Sequence, residues 1–382
     1  MQVAYFSNSI IPSKWANSVH VVNMASALAE LGHDVTLYAY LRPLEGEHSL
    51  PDDEALTAHY GVPPNFRFAP IPEWAVPARS SVAALLIALR QRLGDCELVI
   101  GRNPKACALA ALMGLPTVFE THRPLKHISG VDAALTRLAL RNLAFRAVVT
   151  ISNSLRDILL KETSWPRERL LVAHDGASAL VGVAPARLGR IGQPQIGYVG
   201  HLYEGRGIEL IIELARRLPD ADFHLIGGFE EDIVCWRNKS THLKNLNFVG
   251  HVPPAKTAAF RLGCDILLAP YQHDTGISGG NITSSWMSPL KIFEYMAAGK
   301  AFVASDLPVL HEVLRADENC IMIPPDSVDA WEAALQRLID DPDLRKSLGV
   351  TALLDFETRY SWRRRAETIV NFALDQTRRV SR

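Results

Sequence analysis

Short, nearly continuous apolar runs alternate with longer stretches of helical periodicity along most of the chain, which predicts strands joined by helices rather than hairpins. Val3 to Ser7 predicts a buried strand, followed by a polar loop from Asn8 to Ser18. A helix over Val19 to Leu31, stopped by Gly32, then leads to a strand over Asp34 to Tyr40. Residues 42–80 are proline-rich and weakly periodic, and predict an irregular excursion. A helix over Ser81 to Leu93, a strand over Glu97 to Gly101, a helix over Pro104 to Met113 and a strand within Pro116 to Glu120 restore the alternation. Ala147 to Ser152 and Arg169 to Gly176 continue it as strands, with a helix over Ser154 to Lys161 between them.

Ala177 to Gln195 is rich in small residues without periodicity and marks a domain boundary. A second alternating series follows. Strands are expected at Gln195–Gly200, Asp222–Gly228, Asn247–Val252, Cys264–Tyr271 and Ala301–Ser305, and helices at Ile208–Leu218, Lys256–Gly263 and Ser288–Ala298. The division is 1–185 for a first Rossmann-like domain, 186–360 for a second, and 361–382 for a helix expected to pack back toward the first. Each domain should carry a mainly parallel sheet, with ligands at the carboxyl ends of its strands.

Composition narrows the function. In 382 residues, 40 basic against 41 acidic side chains give no argument for a nucleic-acid partner. The apolar run from Ala106 to Phe119 is broken by Pro116 and falls short of the roughly 18 residues of a membrane span. The first residues lack the basic and long apolar regions of a secretory leader, and five scattered cysteines suit reduced thiols, so a cytoplasmic location is expected. Arg137, Arg141 and Arg146 punctuate an apolar helical stretch. They fit either a solvated face or peripheral contact with anionic lipid at the inner face of a membrane.

Three places carry candidate chemistry. Lys291 and Glu294 share a face of the helix after Pro289, where an ammonium suits phosphate and a carboxylate suits sugar hydroxyls; a surface ion pair is the alternative. Arg206 beside Gly207 opens another helix and suits a diphosphate, or else is a solvated loop arginine. The loop from Gln272 to Met287, with Gly276, Gly279, Gly280 and Asn281, has backbone placed to wrap phosphates. In the first half, Arg102, Asn103, Glu120, Thr121, His122 and Arg123 all fall at strand ends. Of these His122 is able to donate or accept a proton, or to be structural. The first loop lacks G-x-G-x-x-G, which argues against a nicotinamide-binding dehydrogenase.

Four marks occur in order: E-T-H-R ending at Arg123, H-D-G ending at Gly176, G-H-L-Y-E-G-R-G ending at Gly207, and S-P-L-K-I-F-E-Y-M-A-A-G ending at Gly299. Together they make the chain resemble the family 4 retaining glycosyltransferases, a branch with S-P-x-K-x-x-E in place of the full E-x7-E pattern. The resemblance implies two facing Rossmann-like domains, the GT-B fold. It also implies transfer of a sugar from a UDP- or GDP-linked donor to a sugar, lipid-linked or small-molecule acceptor in polysaccharide, glycolipid or glycoconjugate biosynthesis. Neither a separate cofactor nor a metal is implied.

Carried over by position, His122 approaches the reacting sugar, while Arg206 and Lys291 hold the diphosphate. His201 stands where many members have a further phosphate-binding arginine, Glu294 holds the ribose, and Glu312 has a helix-capping or structural role. The first glutamate of the pattern is replaced by Trp286, with Asn281 or amides at Gly279 and Gly280 expected to take over part of its work. A nucleotide-sugar epimerase, or a non-catalytic nucleotide-sugar-binding protein, is the competing reading.

Overall fold

A computed structural model describes residues 1–44, 46–71, 87, 90, 94–128, 130–163, 165–277 and 281–380. The chain divides into two units, Met1–Asp175 with Trp362–Arg382, and Gly176–Ser361.

In the first unit, β1 (Gln2–Ile11), β2 (Asp34–Leu41), β3 (Arg67–Pro70), β4 (Leu98–Gly101), β5 (Thr117–Thr121), β6 (Phe145–Thr150) and β7 (Leu170–Val172) form one sheet. Its order is β3-β2-β1-β4-β5-β6-β7, and every pairing is parallel. Strands buried on both faces explain the continuous apolar runs. Of the polar loop expected from Asn8 to Ser18, the first four residues, Asn8 to Ile11, are instead part of β1, and the last three open the helix Ala16–Glu30. A register shift between Phe6 and Ile10 carries Asn8 and Ser9, after which Ile10 and Ile11 pair with Tyr40 and Leu41. The stretch expected to be irregular also contains regular structure: α2 (Asp53–Tyr60) and the edge strand β3. Asp52 caps α2 by accepting from the Ala55 amide, and Gly61 ends it in the left-handed conformation. Most of the helix expected over residues 81–93 lies outside the described residues.

Helices α1 (Ala16–Glu30), α3 (Pro104–Leu112), α4 (Gly130–Ala139) and α5 (Asn153–Glu162) connect these strands. The long C-terminal helix, Trp362–Val380, belongs to this unit and packs on α1 and β6. Its buried stripe comprises Trp362, Ala366, Ile369, Val370 and Ala373.

In the second unit, β8 (Gln195–Val199), β9 (Asp222–Ile226), β10 (Leu246–Gly250), β11 (Ile266–Ala269), β14 (Ala301–Ser305) and β15 (Ile321–Ile323) form a parallel sheet in the order β10-β9-β8-β11-β14-β15. A short antiparallel hairpin, β12 (Gly276–Ile277) with β13 (Asn281–Ile282), stands apart from it. Apolar layers cover both faces of the sheet, one around Leu214, Phe223 and Trp331 and the other around Phe293, Tyr295 and Phe302. The chain enters and leaves this unit side by side, with the Ala177 amide donating to the Tyr360 carbonyl at 3.0 Å. In each sheet the strand order reverses between two central neighbours, β1 and β4 in the first and β8 and β11 in the second. That reversal opens a crevice at the strand carboxyl ends. Among the described residues, no helix is long and apolar enough to cross a membrane.

Candidate active site

At the reversal in the second sheet, β8 ends in Tyr198 and Val199, and β11 runs on through Pro270 to Tyr271. Both rings are almost fully buried. The Tyr198 hydroxyl donates to the His201 carbonyl at 2.6 Å, which fixes the first turn of the following loop. That loop reaches Gly207, the residue before α6 (Ile208–Arg217). Gly207 has φ of 74°, and an added Cβ would run into the Pro270 carbonyl. Only glycine fits there without displacing the strand end, so Arg206 is delivered close beside Tyr271.

Helix α7 (Leu290–Ala297) supplies the second cation. Lys291 is 8% exposed; its Nζ lies 3.7 Å from the Tyr198 ring centre and 5.0 Å from that of Tyr271. The Arg206 guanidinium carbon lies 5.3 Å from the Tyr271 ring centre. The π faces stabilise both charges, but less than water or a carboxylate would. Burial, then the Arg206 charge, holds Lys291 well below the usual lysine value, with Glu294 opposing. No ion pair or hydrogen bond to Lys291 is made by any of the described residues. The surface Lys291–Glu294 pair that their spacing allows is therefore not formed. Glu294 instead lies 3.4 Å from Arg261 NH1 and stays partly exposed.

The other expected donor contacts are spread out. His201 packs in a three-ring cluster with Tyr203 and Phe229, with centroids at 4.9 and 5.1 Å from its own and 6.2 Å from each other. The Thr275 hydroxyl and the Gln272 amide donate to the Gly205 carbonyl at 2.7 and 2.9 Å, tying the glycine loop to the Arg206 loop. Gly279 and Gly280 lie outside the described residues; Asn281 is in β13. Trp286 is half-buried, and Glu312 ends a short helical turn over Pro308–Glu312.

The first unit gathers a second polar cluster at its strand ends. Glu120, at the end of β5, is fully buried; its Oε1 is 2.6 Å from His122 Nε2, 2.7 Å from His20 Nε2 and 3.8 Å from Arg102 Nε. Its Oε2 accepts from Arg365 NH1 at 2.9 Å. His20 Nδ1 lies 3.1 Å from Asp175 Oδ1. Burial alone would push the Glu120 carboxyl up, yet Arg365 and the two imidazoles hold it well below the usual range. Burial, then the Arg102 charge, lowers His122 to about 4 against the opposing pull of Glu120. Two imidazoles and a carboxylate within 4.8 Å of one another have the donor types of a metal site. Two guanidinium groups already compensate the carboxylate, so the cluster is better described as a hydrogen-bonded charge network. His20, Asp175 and Arg365 were absent from the sequence-based site, as were Tyr198 and Tyr271.

The family described as Glycosyltransferase Family 4 matches residues 18–178, and that described as Glycosyl transferases group 1 matches residues 193–341. Each unit thus matches a glycosyltransferase family, and together the two matches support a family-4-like glycosyltransferase. Among curated relatives, the glycosyltransferase is 26% identical over 380 residues to phosphatidyl-myo-inositol mannosyltransferase of Mycolicibacterium smegmatis, covering 90% of this chain and 86% of that one. It is 22% identical over 371 residues to glycogen synthase of Mycobacterium tuberculosis, covering 90% and 87%. Anabaena Alr3699/HepE in complex with UDP and glucose superposes with a TM-score of 0.69 at 14% identity, over 97% of this chain and 98% of that one. TarM superposes at 0.71 and 9% identity, over 97% and 98%. These likenesses show the GT-B fold, two mainly parallel Rossmann-like units.

Proposed function

We propose that this glycosyltransferase moves a sugar from a uridine- or guanosine-linked nucleoside diphosphate donor to a hydroxyl acceptor, with retention at the anomeric carbon. The observation that carries the reading is the buried Lys291 amine, to which no described residue gives an ion pair or hydrogen bond and which shares the Tyr271 ring with the Arg206 guanidinium. A buried lysine and an arginine set against one aromatic wall suit a diphosphate. HepE, solved with UDP and with UDP-glucose, supports the donor class. Glu294 takes the ribose hydroxyls through its exposed edge, and His201 flanks the phosphate side of the loop.

In this mechanism the acceptor oxygen bonds to the anomeric carbon on the face that the diphosphate vacates, as the carbon–oxygen bond to phosphate breaks. The acceptor proton passes to the departing phosphate oxygen. Arg206 and Lys291 stabilise the charge that develops there. His122 is too weak a base at neutral pH to take that proton, and its role is to orient a sugar hydroxyl. The mannosyltransferase relative supports a lipid-linked acceptor for polysaccharide or glycolipid assembly. Peripheral contact with anionic lipid fits Arg137 and Arg141, exposed beside Leu138 and Leu143, which are 54% and 58% exposed.

The test begins with thermal stabilisation by a panel of nucleotide sugars, then screens acceptors with the best donor and determines the anomeric configuration of the product. Nucleoside diphosphate should appear only with acceptor, and the product should keep the donor configuration. An inverted product, or donor isomerisation without acceptor, refutes the reading. Sedimentation with anionic but not zwitterionic vesicles checks the membrane contact.

A further inference from the structure

We propose that Glu120 is a positioning residue that fixes the His122 ring with its Nε2–H turned inward and its Nδ1 lone pair turned outward, so that His122 meets a sugar hydroxyl as a hydrogen-bond acceptor. This rests on the reading of His122 as a sugar-facing residue. An ionised carboxylate offers only acceptors, so the nitrogen 2.6 Å from Glu120 Oε1 carries hydrogen. A neutral imidazole has one N–H, and using it inward leaves Nδ1 as the acceptor. Burial and Arg102 keep the ring neutral at physiological pH, so it has no second proton to offer. Among the described residues Nδ1 has no protein partner, and the side chain is 21% exposed, so this edge can be reached.

Glu120 is itself held from the far end of the sequence. Arg365, on the C-terminal helix, donates from NH1 to Glu120 Oε2 at 2.9 Å and from Nε to the His174 carbonyl at 3.0 Å. The carboxylate therefore cannot rotate to follow the histidine. His20 fills the space between Glu120 and Asp175, and its ring meets His122 and Trp362 nearly edge-on, with centroids at 4.8 and 4.9 Å. Two carboxylates, two guanidinium groups and a second imidazole thus fix one tautomer and one ring plane. Such a device supports orientation of a hydroxyl rather than proton removal.

Glu120→Gln tests it. To keep the Arg365 contact, the glutamine must turn its carbonyl oxygen to NH1, which leaves its NH2 facing the histidines. His122 Nε2 then becomes the acceptor, and the ring proton moves to Nδ1. Expected are a fall in kcat of about 10- to 100-fold with little change in donor KM, and a nitrogen-15 spectrum in which His122 has changed tautomer. The wild-type spectrum, with the signal assigned by its loss in His122→Asn, should show unprotonated Nδ1. Wild-type Nδ1 that carries the proton overturns the proposal, as does a folded Glu120→Gln enzyme with kcat within about twofold of wild type. If Glu120→Gln does not fold, the wild-type tautomer decides alone. Unchanged turnover in His122→Ala would instead sink the role given to His122, while the tautomer measurement still judges Glu120.

Discussion

Replacing Lys291 by methionine separates a ligand-binding cation from a structural one, because the two readings predict opposite changes in stability. In the free protein the Lys291 amine lies against the Tyr198 and Tyr271 faces, and none of the described residues gives it an ion pair or hydrogen bond. Methionine keeps the length and removes the charge, so the unliganded second unit should be as stable as wild type or more stable, by about 1 kcal/mol. With a diphosphate bound, the same change removes a charge-assisted contact of about 1.5–3 kcal/mol, which weakens binding by roughly 10- to 150-fold. At a donor concentration of about 100 Kd the wild type gains about 2.7 kcal/mol; after a loss of about 100-fold, the same concentration gives about 0.4 kcal/mol. For a unit spanning Gly176–Ser361, that is a rise in Tm of about 5–11 °C against about 1–2 °C.

The pH dependence has a definite sign. Burial and Arg206 depress Lys291 in the folded state, so between the native and the unfolded value the unfolded chain binds more protons at this group than the folded unit does. This group's contribution to stability therefore rises with pH, from the depressed native value up to the unfolded value of about 10.4. The advantage of Lys291→Met in the free protein should shrink over that window. Diphosphate favours the ammonium, so at pH values within that window wild-type binding should take up protons, seen as a calorimetric enthalpy that varies with buffer; the variant should not. Differential scanning fluorimetry and calorimetry read these effects. Equal donor-induced stabilisation in Lys291→Met and wild type would refute the diphosphate assignment.

Arg206→Ala should lower donor kcat/KM by about 100-fold while leaving circular dichroism unchanged, and wild-type donor kinetics would remove it from the site. Glu294→Ala should raise donor KM by about tenfold, and the loss should disappear with a donor analogue that lacks the ribose hydroxyls. Gly207→Ala forces a left-handed residue to carry a Cβ against the Pro270 carbonyl, and should cost about 2 kcal/mol or more in the second unit's denaturation midpoint. Asp52→Ala removes the cap on the Ala55 amide and should cost about 1 kcal/mol in the first unit without altering donor binding.

The alternation of strands and helices was legible because parallel strands, apolar on both faces, leave a plain trace in sequence. The extension of β1 was not, since Asn8 and Ser9 interrupt the apolar run. Their polarity is accommodated locally: the Ser9 hydroxyl lies 2.9 Å from that of Ser7, and Asn8 accepts from Asn103. α2 was hidden by the surrounding prolines, although Asp52 before it and Gly61 after it are ordinary helix boundary signals. Tyr198 and Tyr271 read as core aromatics in sequence, and only their place at two neighbouring strand ends makes them the wall of a cation site.

Arg365 and Lys291 were unequally visible, yet they carry the same sequence signal. Arg365 follows two arginines and looks like part of a charged run. Helical phase nevertheless puts it on the stripe of Trp362, Ala366, Ile369 and Val370, where it is 4% exposed. Lys291 likewise stands among buried Ile292, Phe293, Tyr295 and Met296. A cation in an apolar stripe must be compensated by something, and the sequence does not say by what. Arg365 has Glu120 at 2.9 Å and Asp175 at 3.9 Å, which makes it a fixed part of the first unit's network. Lys291 has tyrosine faces and a second cation nearby. For Arg365 the counter-charge is folded into the protein, whereas on the proposed reading the counter-charge of Lys291 arrives with the ligand; that difference is what the methionine variant measures.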